Sequence, residues 1–399
     1  MIKTLFNASA INFLGALTSY SIVVFLAQLG SDGAYAEFLY MLTWALLIGS
    51  FIDFAGESVF VKYARHVESL VEAFSLLFSL KVIGFLTVII LFFSTNNFFN
   101  LLDFKFLFLM LPIFHLGTMF EYLNKNLTYV LVLFFEKIIL FFLLYYVTKG
   151  VGFSDSVFYV YLIVNLFSIL LQFSILRAKI SFVRKNLFIN FIEYTKLYYP
   201  MFFVLQLHLI YGYYTRLIIE SRNGIEAFAS VAIALQIINI ASLFQSQVDR
   251  TFRSPIFEAI EAKSRKSFIQ ATRKYLFFTT FPIILGCCLL YLIADFIGNT
   301  LFPEGYSGLV ICIKILSIAP FSVNMIRLGD AIFTGMHNTK INMLITFLAV
   351  VLLVINTLLL NNASTESYLL VLIVVQFLHG IVSVVTGITK LLFKELRAI

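Results

Sequence analysis

Residues 126–148 read NLTYVLVLFFEKIILFFLLYYVT. Apart from the adjacent Glu136 and Lys137, the stretch carries no charge, and its apolar residues run on without alternation. About 20 mostly apolar residues carry a helix across a hydrocarbon core. In lipid only helices and closed barrels satisfy their own backbone hydrogen bonds. A continuous apolar run lacks the two-residue period of a barrel strand. The stretch therefore predicts a membrane-spanning helix with an ionisable pair at its middle.

Runs of the same kind lie on both sides of it. Before it come 5–29, 35–57, 74–94 and 105–123; after it come 154–177, 197–220, 226–248, 275–302, 307–335, 339–360 and 367–392. With 126–148 these make twelve predicted spans, numbered here in chain order. Residues 5–29 follow Lys3 and no small-residue cleavage site follows them, so they read as the first span. Span ten carries Pro320 near its middle, which predicts a bent helix. Composition agrees: hydrophobic residues are 61% and charged residues 12%, with a mean hydropathy of +0.98. Soluble domains carry roughly 45–50% apolar and about 25% charged residues. The chain is predicted to be all-α and polytopic, and almost nothing is left over to form a soluble enzyme domain.

Basic residues set the orientation. With the first residues inside, twenty Lys and Arg fall in the inside gaps or at the span ends beside them, against Lys105, Lys149 and Arg222 on the outside. Lys81, Lys137, Arg216, Lys314 and Arg327 lie within spans. This bias puts both termini in the cytoplasm. It also accounts for the formal net charge of +7 without nucleic acid. The two longest inside gaps are 178–196 and 249–274. The first divides the chain into six-span halves, 1–180 and 197–399, with 181–196 as a cytoplasmic linker. The second has Phe252, Ile256, Ala259 and Ile260 on one side with basic residues interleaved, which predicts a helix lying on the inner leaflet.

No phosphate loop, zinc spacing or nucleophile elbow is present, and no cofactor or metal is implied. Cys287, Cys288 and Cys312 lie in apolar runs. Charges within spans are more informative, because an ionisable group in hydrocarbon needs a partner or a wet cavity. Asp53 and Glu57 share a helix face, and Glu57 is a candidate partner for Lys81. Glu136 and Lys137 point in different directions, and Glu136 is a candidate proton carrier. Arg216 lies near Tyr211, Tyr213 and Tyr214, with Glu220 one turn on. It reads either as a snorkelling side chain or as a phosphate-binding cation. Arg327 and Asp330 are close enough to pair, with Lys314 further back in the same span. Asn12 and Thr18 of span one either line a path or join helices. His115 and His208 lie deep in spans, where a helix-joining hydrogen bond is the ordinary role.

Several stretches resemble a known family. YYTRLIIESRNGIEAFASVAIAL (213–235), RTFRSPIFEAI (250–260), LFPEGYSG (301–308) and APFSVNMIRLGDAIFTGMHNTKI (319–341) carry the resemblance, with GSDGAYAEF (30–38) and FIDFAGESVFVKYAR (51–65) nearer the start. They resemble the Wzx-type lipid-linked polysaccharide (O-antigen) flippases of the multidrug/oligosaccharidyl-lipid/polysaccharide exporter superfamily. Thr215 stands where that family often has an acidic residue. The resemblance implies two six-helix bundles around a central cavity in the bacterial inner membrane. It implies ion-coupled alternating access for undecaprenyl-pyrophosphate-linked oligosaccharide, and no enzymatic activity. Its implied partners are that lipid-linked oligosaccharide, membrane lipids and other polysaccharide assembly proteins. Arg216, Arg327, Lys314, Lys81 and Asn12 are then expected to bind substrate, and Glu136, Asp330 and Glu57 to couple the ion. The main alternative is a drug or small-solute exporter of the same superfamily. An O-antigen polymerase is a further one, disfavoured because no large outside loop is present.

Overall fold

A computed structural model describes residues 2–30, 33–53, 70–94, 103–123, 125–150, 152–176, 187–303, 306, 308–336, 338–361 and 363–392. The described chain is helical throughout, with no strand among the described residues. Among the described residues, ten helices are long and apolar enough to cross a membrane, and two shorter apolar helices, Phe106–Phe120 and Ile225–Asn239, fall where spans four and eight are predicted. The chain is a multi-pass helical membrane protein. Its lipid-facing surface is plain in span nine, where Phe277, Phe281, Leu285 and Leu292 are 67%, 67%, 63% and 75% exposed at helical spacing. Water would not tolerate so continuous an apolar stripe on a monomer.

The chain divides into two compact units, Met1–Gln206 and Leu207–Ile399. The helix Leu187–Asn223 runs through that boundary, and it includes residues 187–196 of the expected linker. In the first unit, Ala73, Phe74, Leu76 and Leu77 of span three pack with Leu116, Met119 and Phe120 of span four and with Leu176 and Tyr194. Span four is not one helix. It comprises Phe106–Leu109, a 3-10 turn Leu111–Phe114 and Gly117–Tyr122. Pro112 lacks an amide proton and opens the 3-10 turn, and His115 then takes extended ψ of 142°.

The second unit differs from expectation in two places. Span ten is broken rather than bent: Leu309–Leu316 ends before Ser317, and Ala319–Gly335 begins anew with Pro320 in its first turn. A proline is tolerated there because first-turn amides have no intrahelical partner. The stretch 249–274 is also not a separate surface helix. Span eight continues as helix to Glu261 and span nine starts at Arg265. The turn between them uses Lys263 at φ +49° and Ser264, whose hydroxyl accepts the Ser267 amide. Ile256, Ala259 and Ile260 are buried against Phe268, Tyr275, Leu328, Ile332 and Phe333. The amphipathic pattern reports packing inside the protein, not on lipid. The side chain of Phe252 lies outside the described residues.

Spans ten and twelve approach most closely. A Cβ on Gly329 would sit 2.5 Å from Ser383 Cβ, and one on Gly380 would sit 2.7 Å from Met325 Cβ. Without a hydrophobic drive between helices in lipid, such small-residue contacts supply the packing. Gly329→Val is expected to force these helices apart at a cost of about 1–3 kcal/mol. The measurement is a lowered thermal unfolding midpoint of the purified protein, with Gly286→Ala, where a Cβ meets nothing within 4 Å, as the control.

Candidate functional site

Each unit contains a buried polar cluster. In the first unit it is built around the break in span four. The break frees the Ile113 carbonyl and the Leu116 amide at membrane depth. Lys81 Nζ donates to Ile113 O at 2.6 Å, and the Leu116 amide donates to Gln172 Oε1 at 2.7 Å. Irregular backbone inside a membrane is tolerated only where such partners exist. Lys81 also pairs with Asp53 at 2.5 Å and is 6% exposed. Glu57, the expected partner of Lys81, lies outside the described residues.

Gln172 Nε2 donates to Ser168 Oγ at 3.3 Å, and Ser168 in turn donates to Glu136. His115 Nε2 is 3.5 Å from the same Glu136 oxygen but makes no aligned hydrogen bond. Glu136 therefore meets a hydroxyl and an imidazole in a largely buried setting. Its neighbour Lys137 turns to span one, with Nζ 4.0 Å from the position a Cβ on Gly15 would take. The two point in different directions, as their adjacency requires. Asn12 is half-buried on span one. Thr18 bonds back to Leu14 O at 3.0 Å and lines a groove of about 330 Å³ with Ser21, Phe134 and Phe141.

In the second unit the cluster joins the helices Leu187–Asn223, Ala319–Gly335, Thr339–Leu359 and Thr365–Lys390. Asp330 accepts from Asn342 Nδ2 at 2.7 Å and lies 3.7 Å from His208 Nδ1. Tyr211 Oη is 3.0 Å from His379 Nδ1, and Thr346 Oγ1 is 3.2 Å from His379 Nε2. The His208 and His379 ring centroids are 5.5 Å apart. The expected Arg327–Asp330 pairing is thus replaced, on the Asp330 side, by Asn342 and His208. Arg327 is half-buried one turn from Asp330.

The other two cations differ sharply. Lys314 binds Asp295 at 2.8 Å, with the two side chains 30% and 59% exposed, and lies 5.9 Å over the Tyr291 ring. This is a peripheral pair. Arg216 lies 5.3 Å over the Tyr213 ring, and its Nε is buried without a hydrogen-bond partner. Glu136, Asp330, Arg216 and Lys81 thus lie in largely buried polar settings, and for Arg216, left open in sequence between snorkelling and binding phosphate, the snorkelling alternative does not describe its buried Nε. Sequence reasoning missed Ser168, Gln172, Tyr211 and His379 as network members. Ser168 and Gln172 at i, i+4, and His208 and Tyr211 at i, i+3, were the available signals, since these spacings share a helix face.

Solved structures share this fold. A mutant of the Vibrio cholerae MATE transporter VcmN aligns at a TM-score of 0.69 and 15% identity, over 100% of this chain and 98% of its own. An outward-facing multidrug resistance MATE family transporter of the MOP superfamily gives 0.71 at 15%, over 98% and 95%. A MOP superfamily transporter from Pyrococcus furiosus, described as having a binding pocket of reversed polarity, gives 0.71 at 13%, over 98% and 95%. No protein-family model and no curated protein matches the chain. The fold is that of MATE-type transporters, spanning the whole chain.

The Lys81 contacts imply a stability role that can be separated from transport. Lys81→Met removes the ion pair to Asp53 and the donor to Ile113 O, and breaking a buried pair costs about 3–5 kcal/mol. The expected result is a lower unfolding midpoint, partly restored when Asp53→Asn removes the carboxylate charge as well.

Proposed function

We propose that this protein is an ion-coupled exporter of the bacterial inner membrane, with both termini cytoplasmic. The observation that carries this reading is the buried Glu136, held between Ser168 and His115 inside an apolar unit whose fold is that of transporters. A carboxylate at membrane depth costs several kcal/mol unless it does work or is fully paired. Among the described residues Glu136 has a hydroxyl donor and no Lys or Arg in hydrogen-bonding contact. It is suited to gaining and losing a proton as the chain changes conformation. The second unit holds its own largely buried acid, Asp330, beside His208.

Two cargo readings draw support from different observations. Arg216 supports a lipid-linked oligosaccharide. Its buried, unpartnered Nε is a donor waiting for an anion, and a pyrophosphate head group can accept bidentately. A sugar–pyrophosphate cannot cross hydrocarbon without groups that replace its water. Lys81 and Lys314 support this reading less, since each is held by a carboxylate. Arg327 and Asn12 complete the proposed substrate set. A drug or small solute is supported by the fold relatives described as multidrug transporters, and the comparisons favour it over the lipid. Neither observation supports a polymerase.

Proteoliposomes loaded with ethidium, or carrying a fluorescent undecaprenyl-pyrophosphate oligosaccharide, separate the readings under an imposed pH gradient. At least one cargo is expected to move, and Glu136→Gln is expected to abolish its dependence on the gradient. Arg216→Ala is expected to slow oligosaccharide transfer by roughly tenfold or more, the worth of a charge-assisted hydrogen bond, and to spare ethidium. Ethidium movement alone establishes the drug reading. Movement of neither cargo removes the exporter assignment.

A further inference from the structure

We infer that His208 is the proton-binding group of the second unit, with Asp330 as its counter-ion and His379 as a neutral fixture beside it. The inference deepens the exporter reading and rests on it for its purpose, though not for its chemistry. The hydrogen bonds assign the His379 tautomer. Thr346 has one hydroxyl proton, and it is donated to Asn342 O at 2.8 Å. Its oxygen can then only accept from His379, so Nε2 carries the ring proton. His379 Nδ1 is consequently the bare nitrogen, and it accepts the Tyr211 hydroxyl. Both nitrogens are used by the neutral ring. A second proton on Nδ1 would face the Tyr211 hydroxyl proton, and Tyr211 would have to turn away.

His208 is in the opposite condition. Its Nε2 is buried with no partner, and its Nδ1 is 3.7 Å from Asp330, just beyond a hydrogen bond. Its side chain is 20% exposed, although Nε2 itself is covered. Neutral His208 with the proton on Nδ1 leaves Nε2 open as the base. A proton arriving at Nε2 makes the ring an imidazolium and Asp330 its pair. Only one of the two rings can carry that charge, since their centroids are 5.5 Å apart. The surrounding groups favour His208. From its own helix it meets Tyr211, stacked at 6.4 Å between centroids. From span ten come Asp330 and, one turn away, Arg327; from span twelve comes His379; span eleven contributes the neutral Asn342 and Thr346. Asp330 is the acid nearest to it.

Protonation has a mechanical consequence. Closing the 3.7 Å gap draws the helix Leu187–Asn223 toward Ala319–Gly335. Arg216 is eight residues along the first of these helices, about 12 Å of rise from His208. A proton at His208 thus acts on the helix that presents Arg216.

The test is a pH titration of the full-length protein in lipid nanodiscs, labelled with ¹⁵N-histidine. The chain has 5 His, so the signals are separable by single substitutions. The signal lost in His208→Gln is expected to pass from the one-proton to the two-proton ¹⁵N pattern within the pH series. In Asp330→Asn the two-proton pattern of that signal is expected to be weakened or lost, because the counter-ion has gone. The signal lost in His379→Gln is expected to keep the neutral Nε2–H form throughout. A His208 that holds one protonation state across the range overturns the inference. So does a titration unmoved by Asp330→Asn, or a His379 that titrates in its place. If His208→Gln folds poorly, the His208 signal is the one that survives single substitution of each of the other four histidines, and the Asp330→Asn arm still reads it. None of these readouts requires cargo. A protein that moves neither cargo can still show the His208 titration. An active exporter whose His208→Gln variant keeps its pH profile counts against this inference alone.

Discussion

Inside hydrocarbon a backbone amide or carbonyl without a partner costs several kcal/mol, and water is not there to supply one. Most of this structure follows from meeting that demand with helices, and the rest follows from meeting it where a helix stops. Span four stops at Pro112 and His115. The two backbone groups exposed by the break draw in Lys81 and Gln172. Each recruit brings its own need. Lys81 requires Asp53, while Gln172 leans on Ser168, which serves Glu136. A chain of polar residues in the first unit thus traces back to one interrupted helix. Glu136 sits at its far end.

The second unit solves the same problem differently. Span ten also breaks, yet Pro320 falls in the first turn of the new helix, where the missing amide does no harm. The polar groups lie lower in that helix, at Asp330, and are answered from Thr339–Leu359 and Thr365–Lys390 and by His208. The two units therefore hold acids of different character. Glu136 has a hydroxyl and a misaligned imidazole. Asp330 has an amide and an imidazole just out of reach.

The number and order of the spans were legible because apolar runs of membrane length have few alternative explanations. Residues 126–148 are helical over the bounds read from sequence. The helix breaks were only half legible. Pro112 and Pro320 can be seen in the sequence, but whether a proline bends a helix or starts a new one depends on which turn it occupies. Partners were least legible. The sequence points to Glu57 as the mate for Lys81, whereas packing brings Asp53, on the same helix face, to 2.5 Å. The amphipathic stretch after span eight was misread for the same reason. An apolar face announces that something will cover it, and lipid and protein leave the same pattern. Ile256 and Ile260 are covered by Phe268 and Leu328.

Phe106–Phe120 is short for a span. As a straight α-helix it would rise about 22 Å against a hydrocarbon core of about 30 Å. It escapes the usual penalty because Phe106, Leu109, Met110, Met119 and Phe120 are buried in the first unit and touch little lipid. Span nine, with its exposed Phe277 and Leu292, enjoys no such shelter. Changes in bilayer thickness should therefore be felt at the rim of the second unit, while the interrupted segment at the heart of the first is insulated from them.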